Sequence, residues 1–357
     1  VGDLSLTRTL LTWFDAEKRE LPWRGSADPY RIWVSEVMLQ QTTVSAVRKR
    51  YGTFLLRFPD LESLARSSEE AVLAAWSGLG YYARARNLRR AARAIVSNHD
   101  GVIPRTPPEL ERLPGFGRYM AAAVASLAYG VRAPASDANV ERVLSRVFAM
   151  RGLAGSESLR SRVLARAEDL LTARRPGNVT AALMDLGQTI CTPRRPSCTM
   201  CPIASHCQAR RRGNPECFPG RRARARPVPL SLAAAIAERS GRVLLVRRRS
   251  SWLDGLWEFP SAEATTAPAA RRLLALRIAE LGLELDPAGP IGRARHSVVN
   301  RRIEIAIFRA HPGIGDARRT RGATRWFFHR ELVDAAVPTL TRKIAEAGAV
   351  GRARCLV

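Results

Sequence analysis

Four cysteines fall within seventeen residues, Cys191, Cys198, Cys201 and Cys207, in the spacing C-x6-C-x2-C-x5-C. No other feature restricts the chain as tightly, because four thiols so close in sequence must share one small loop. The N-terminal stretch VGDLSLTRTLLTWF lacks the basic-then-apolar layout of a secretory signal, so disulfides are the poorer reading. Such a loop can fold around a soft metal centre, either tetrahedral zinc or a cubane iron–sulfur cluster, and the spacing alone leaves these about even. Cys217 and Cys355 stand outside it and read as spare thiols.

Charge narrows the choice of partner. The 357-residue chain carries 58 Lys+Arg against 32 Asp+Glu, a net charge of +26. Almost all of the excess is arginine, since the only lysines are Lys18, Lys49 and Lys343. Arginine forks onto phosphate oxygens, and a basic excess on this scale is the electrostatic footprint of nucleic-acid binding. No run approaches the ~18 apolar residues of a membrane span. The expectation is a soluble, intracellular or cytoplasmic protein that binds nucleic acid.

The length predicts two domains. Over residues 1–210, apolar positions recur at helical spacing in LARSSEEAVLAAWSGL, ARNLRRAARAIVSNH, MAAAVASLAYG and ERVLSRVFAM. Residues 211–229 are rich in Pro, Gly and Arg without periodicity and read as a basic linker. Residues 230–357 change to short strands, AAAIAE and GRVLLVRRR around a Ser-Gly turn and later RRIEIAIFRA, with one helical stretch at ARRLLALRIAELG. The second domain is therefore expected to be α+β.

Three places in the helical half carry candidate chemistry. LERLPGFGRYMAAAVASLAYG reads as a helix, a glycine turn and a second helix, whose Gly115 and Gly117 would turn backbone N–H groups and the helix dipole toward a phosphate. In DPYRIWVSEVMLQQTTV, Asp28 and Pro29 start a helix on which Glu36 shares a face with Ile32, Trp33 and Leu39. An apolar setting there would raise its pKa and keep a proton to donate. Asp137, in ASDANVERVLSRVF, sits at the start of a helix whose N-terminus would stabilise its anion. Two carboxylates in unlike environments can divide acid and anion roles, as in glycoside hydrolysis.

LPWR, DPYRIWVSEVMLQQT, WSGLGYYARARNLRRAA, the hairpin, the Asp137 loop and MDLGQTICTPRRPSCTMCPIASHC together resemble the adenine DNA glycosylases of the MutY type, within the helix-hairpin-helix, endonuclease-III-like superfamily. The likeness spans almost all of residues 6–208 and implies an all-α glycosylase domain with a [4Fe-4S] loop. It implies that Glu36 protonates a flipped adenine and Asp137 stabilises the sugar cation, with Tyr119 and Asn139 ordering the site. Trp23, Arg24 and Leu39 match the adenine pocket, and Gln40, Gln41 and Thr42 belong to the same DNA-contacting motif. Gln41 and Tyr81 are implied to enter the duplex, while Tyr82 reads as core. Bifunctional members of the superfamily carry a lysine where this chain has Tyr119, so a monofunctional enzyme is expected. Ala181 stands where the family has Gln or Glu.

The stretch GLWEFP resembles the start of the family's C-terminal domain, which has the Nudix fold and reads 8-oxoguanine; Trp257 and Phe259 are expected in its core or at a domain interface. ARRLLALRIAELGLEL has too few acids for a catalytic Nudix helix. The lesion-reading loop falls at Val298, Val299 and Asn300, with His296 and Ser297 just upstream. The implied partner is double-stranded DNA bearing adenine opposite 8-oxoguanine or guanine, bound by a monomer. The rival readings are a glycosylase for another damaged base, a non-catalytic mismatch binder and a nucleotide hydrolase.

Overall fold

A computed structural model describes residues 2–171, 175–221, 226–248, 254–298, 300–313 and 323–353. In chain order the elements are α1 (Gly2–Glu17), α2 (Pro29–Leu39), α3 (Val44–Arg57), α4 (Leu61–Arg66), α5 (Glu69–Ala75), α6 (Ala83–Asn98), α7 (Pro107–Glu111), α8 (Arg118–Tyr129), α9 (Ala138–Val147), α10 (Glu157–Leu170), α11 (Pro176–Thr189) and α12 (Gln208–Arg211). Then follow β1 (Val228–Arg239), β2 (Arg242–Arg247), β3 (Trp257–Glu258), β4 (Ser261–Ala264), α13 (Ala267–Ala279), β5 (Leu283–Val298), β6 (Arg301–Pro312), β7 (Thr324–Phe328) and α14 (Thr339–Ala353). The chain divides into two compact units, Val1–Arg66 with Asn87–Ala223, and Ser67–Arg86 with Arg224–Val357.

The first unit is helical, as its apolar spacing requires. Leu6, Leu10 and Phe14 of α1 pack with Val140, Val143, Leu144 and Val147 of α9 and with Leu183 and Leu186 of α11. α2 packs against α8, and Trp33 stacks on Phe116 of the hairpin turn with centroids 5.3 Å apart. Asp28 caps α2 by accepting from the Tyr30 amide at 2.9 Å, and Pro29 opens the helix where no amide is needed. α2 is buried on nearly every side, Tyr30 and Ile32 through Met38 included. A helix of that kind has no solvated face for Glu36 to occupy.

Gly115 in the hairpin turn has φ +81, and a Cβ there would lie 2.6 Å from the Cβ of Asn87. The turn therefore needs glycine for conformation and for space. Gly117, the N-cap of α8, has φ −95, nothing within reach of an added Cβ and no side-chain cap. What glycine supplies there is an uncovered helix N-terminus.

The second unit is built on a mixed sheet in the order β3-β2-β1-β6-β5, with β4 pairing β1 and β7 pairing β2. β1 and β6 run parallel from Val228↔Arg301 to Ala237↔Ala310, and β5 pairs antiparallel with β6. Ala270, Leu274 and Ile278 of α13 cover Ala233, Ala235 and Phe308. Besides the expected helix α13, the unit contains α14, which packs on β5. Trp257 and Phe259 are buried in its core, and Ser251 to Leu253 lie outside the described residues.

Two boundaries differ from the sequence expectation. Residues 67–86 group with the second unit: Ser77 Oγ and Tyr82 OH both donate to the carbonyl of Val337, at 2.9 and 3.0 Å, and Trp257 Nε1 donates to Glu70 at 3.1 Å. The first part of the expected linker is also structured. Phe218 is buried with Ala149, Cys207 and Ala209, and Gly220 exchanges backbone hydrogen bonds with Gly152 and Ala154.

Candidate active site

Glu36, 7% exposed on α2, accepts a 3.0 Å hydrogen bond at Oε2 from the hydroxyl of Tyr119 on α8. Burial pushes the Glu36 carboxyl up to about 7; the Tyr119 hydrogen bond opposes this, the charge of Asp137 adds to it, and Arg24 opposes it. Burial first, then the charge of Glu36, carries Tyr119 well above the usual tyrosine value, so it stays a neutral donor. A carboxyl near 7 is half protonated at neutral pH and can give up a proton to a base placed against it.

Asp137 is the N-cap of α9, accepting from the amides of Asn139 and Val140 at 2.9 and 2.8 Å. Its second oxygen accepts from Asn139 Nδ2 at 2.7 Å. Asn139 is held in turn by Arg142, whose Nη2 donates to Asn139 Oδ1 at 2.9 Å and to the Gly187 carbonyl at 2.6 Å. The Nε of Arg142 reaches the carbonyl of Cys191 at 2.8 Å. Gly187 permits this approach of α11 to α9, since a Cβ there would sit 2.7 Å from that of Asn139. A continuous run of hydrogen bonds thus joins the carboxylate to the cysteine loop.

The four cysteines line one cavity with Arg146, Ile190 and Arg210. Among the described residues no three His, Cys, Asp or Glu side chains meet closely enough for a lone metal ion; the thiols stand around the cavity wall instead. Burial, then the neighbouring thiolates, raises Cys201 to about 11, a cost that a coordinated metal would offset. Arg146, 2% exposed, donates to the carbonyls of Thr192 and Phe218 at 2.7 and 3.0 Å and lies 3.3 Å from Cys191 Sγ. An all-thiol set around a cavity fits a polynuclear soft-metal centre.

Arg24 forks onto Asp185, with Nη2 at 3.0 Å from Oδ1 and a close Nη1 contact to Oδ2. Arg19 Nε donates to the same Oδ1 at 3.0 Å. Asp185 is 1% exposed, a buried anion fully paired by two cations. Trp23 packs edge-on against Tyr51 at 5.4 Å. Leu39 ends α2, Gln40 caps it, and Thr42 Oγ1 donates to the Gln40 carbonyl at 3.2 Å. Gln41 between them is exposed, with φ 53.

The second unit holds the remaining expected residues. Tyr81 is 49% exposed with φ 47. His296 and Ser297 lie on β5 opposite Ile303 and Arg302, and burial, with Lys343, lowers the His296 pKa. Val299 lies outside the described residues. Sequence reasoning missed Asp185, Arg142 and Arg146. The latter two stand four apart on α9, a spacing that placed them on one side without revealing that the side meets the cysteine loop.

A model of the HhH-GPD superfamily base excision DNA repair proteins matches residues 34–167, and a NUDIX domain model matches residues 232–347. The solved structure of a thermostable thymine-DNA glycosylase superposes with a TM-score of 0.54 and 29% identity, covering 59% of this chain and 97% of its own. An endonuclease III–DNA complex, 22% identical with a TM-score of 0.50, shows the same helical fold over 59% of this chain and 97% of its own. With the buried glutamate and the hairpin, these define a DNA glycosylase of base excision repair that carries a Nudix-like second domain. Human adenine DNA glycosylase is 36% identical over 398 residues, covering 94% of this chain and 72% of the relative. That of Mycolicibacterium smegmatis is 42% identical over 212 residues, covering 58% of this chain and 70% of the relative. The chain belongs to the adenine DNA glycosylase family.

Proposed function

We propose that the protein hydrolyses the N-glycosidic bond of adenine mispaired with 8-oxoguanine or guanine in double-stranded DNA, leaving an abasic site. The observation that carries this reading is Glu36, buried, raised to about 7 and hydrogen-bonded by Tyr119. Its proton passes to N7 of the extruded adenine, and the bond between C1′ and the base breaks with its electron pair leaving on adenine. The cationic sugar faces Asp137, whose position is fixed by Asn139 and by the α9 amides. Water adds to C1′, and its proton is released to complete the hydrolysis. Tyr119 offers no amine, so no Schiff base forms and the strand stays intact until alkali cleaves it.

Trp23, Arg24 and Leu39 line the adenine pocket in this reading. The uncovered start of α8 beside Gly115 and Gly117 takes a phosphate. Gln41 and Tyr81, two exposed non-glycine residues in the left-handed region, enter the duplex with Gln40 and Thr42 beside them. Strain of this sort persists where it serves a site. His296 and Ser297 contact the lesion from the Nudix-like unit. Cys191, Cys198, Cys201 and Cys207 hold a [4Fe-4S] cluster whose part is to fix the basic loop from Arg194 to Arg212 against DNA.

A glycosylase acting on another mispaired base is the second reading, favoured by Ala181 on α11, one turn before Asp185, where a polar partner for the base edge is absent. Single-turnover base release from duplexes with adenine opposite 8-oxoguanine, guanine or thymine, developed with and without alkali, tests both. Alkali-dependent breaks only at mispaired adenine, abolished in Glu36→Gln, are expected. Release of a different base, breaks without alkali, or full activity in Glu36→Gln would overturn the assignment.

A further inference from the structure

The turn that carries Tyr81 is held from within by the side chains of Arg84 and Trp76. Arg84, in the first turn of α6, donates from Nη2 to the carbonyls of Leu79 and Gly80, at 3.0 and 3.1 Å. Its guanidinium lies 5.5 Å from the centroid of the Tyr81 ring and 5.4 Å from that of Trp76. Trp76 Nε1 donates to the same Gly80 carbonyl at 3.1 Å. Tyr81 itself is disfavoured twice: φ is 47, and half of a large aromatic residue is exposed. Such a conformation survives only where its surroundings over-determine it, and Arg84 alone among the two side chains that hold the turn touches both its carbonyls and the Tyr81 ring.

We propose that Arg84 is a positioning residue, which locks Tyr81 in its strained, projecting pose before DNA arrives, so that the ring enters the base stack without first being ordered. The inference rests on the reading of Tyr81 as the residue that enters the duplex. It asks for arginine in particular: Nη2 alone serves two carbonyls while the delocalised guanidinium lies over the Tyr81 and Trp76 rings, whereas an ammonium is a compact, strongly hydrated point charge without a planar face. Burial draws Arg84 down to about 10, which leaves it a cation at neutral pH. With its Nη2 turned inward onto the turn, Arg84 acts on DNA through Tyr81 rather than as a phosphate ligand.

The test is a double-mutant cycle on the full chain. Affinity is measured for a duplex carrying cleavage-resistant 2′-fluoro-2′-deoxyadenosine opposite 8-oxoguanine, and for the same duplex with thymine opposite. The ratio of the two reports discrimination. Tyr81→Ser is expected to lower that ratio by about tenfold, Arg84→Met and Arg84→Lys each to lower it nearly as much, and Tyr81→Ser with Arg84→Met to lower it no further than Tyr81→Ser alone. The salt dependence of affinity should stay unchanged in Arg84→Met. Additive losses, restoration by lysine, or a log–log salt slope smaller by about 0.9 would each overturn the proposal and make Arg84 an independent DNA contact. An unchanged ratio in Tyr81→Ser would instead overturn the reading of Tyr81 itself. Arg84→Lys keeps the cycle interpretable if the methionine variant fails to fold.

Discussion

Glu36→Gln should make the protein more stable at neutral pH while removing its activity. A carboxyl carried from 4.5 to about 7 by burial disfavours its anion in the folded state by roughly 3 kcal/mol. The sign follows from proton counting. Between about pH 4.5 and 7 the folded protein keeps a proton that the unfolded chain has lost, so stability falls as pH rises through this window and levels off above it. Glutamine fills the same space, accepts the same Tyr119 hydroxyl and never ionises. The variant should therefore match the wild type near pH 4.5 and exceed it by roughly 3 kcal/mol near pH 8, or about 6–12 °C in Tm for a domain of this size. Denaturant unfolding of both proteins in steps across that range gives a difference curve in which the other titrating groups cancel. A flat difference, or an advantage that grows toward acid, would refute a buried, proton-holding Glu36.

Asp185→Asn leaves the Arg19 and Arg24 guanidinia facing a neutral amide in a buried site and should cost about 3–5 kcal/mol in unfolding free energy; a loss under about 1 kcal/mol would contradict the pairing. Gly115→Ala meets both a positive φ and a 2.6 Å approach to Asn87, so about 1–3 kcal/mol of destabilisation is expected, whereas Gly117→Ala should cost less than about 1 kcal/mol, the cost of alanine at an open N-cap. Equal effects at the two glycines would show that the hairpin tolerates side chains alike. Arg142→Met breaks the link from Asn139 to the Gly187 and Cys191 carbonyls, and single-turnover base release should drop at least about tenfold with iron content measured alongside. Unchanged release would mean that Asn139 is held well enough by Asp137 alone.

The helical half was readable because its apolar positions recur at helical spacing and its caps are local. Asp28 and Pro29 start α2, and Asp137 starts α9, through contacts spanning three residues or fewer. The cysteine spacing placed four thiols on one loop for the same reason. Residues 64–79 were harder. They read as one helical run but form two helices, broken where Ser68 caps α5 through a hydrogen bond to the Ala71 amide. The grouping of residues 67–86 with the second unit depends on Val337, some 255–260 positions away in sequence, a distance over which no local pattern carries information.

By itself the sequence determined a helical half followed by an α+β half, the thiol loop and the absence of an amine at Tyr119, since each follows from residue type, order and short-range spacing, while the two carboxylates stood out through the family resemblance. Tertiary structure alone decided how those groups behave. Glu36 is raised to about 7 because α2 is buried on nearly every side. Asp137 is coupled to the Cys191 carbonyl because Arg142 bridges 49 positions, and the buried Asp185 is paired because Arg19 and Arg24 reach it across more than 160. Burial and charge pairing belong to neighbours in space, and they set proton affinity and position more strongly than the identity of the residue does.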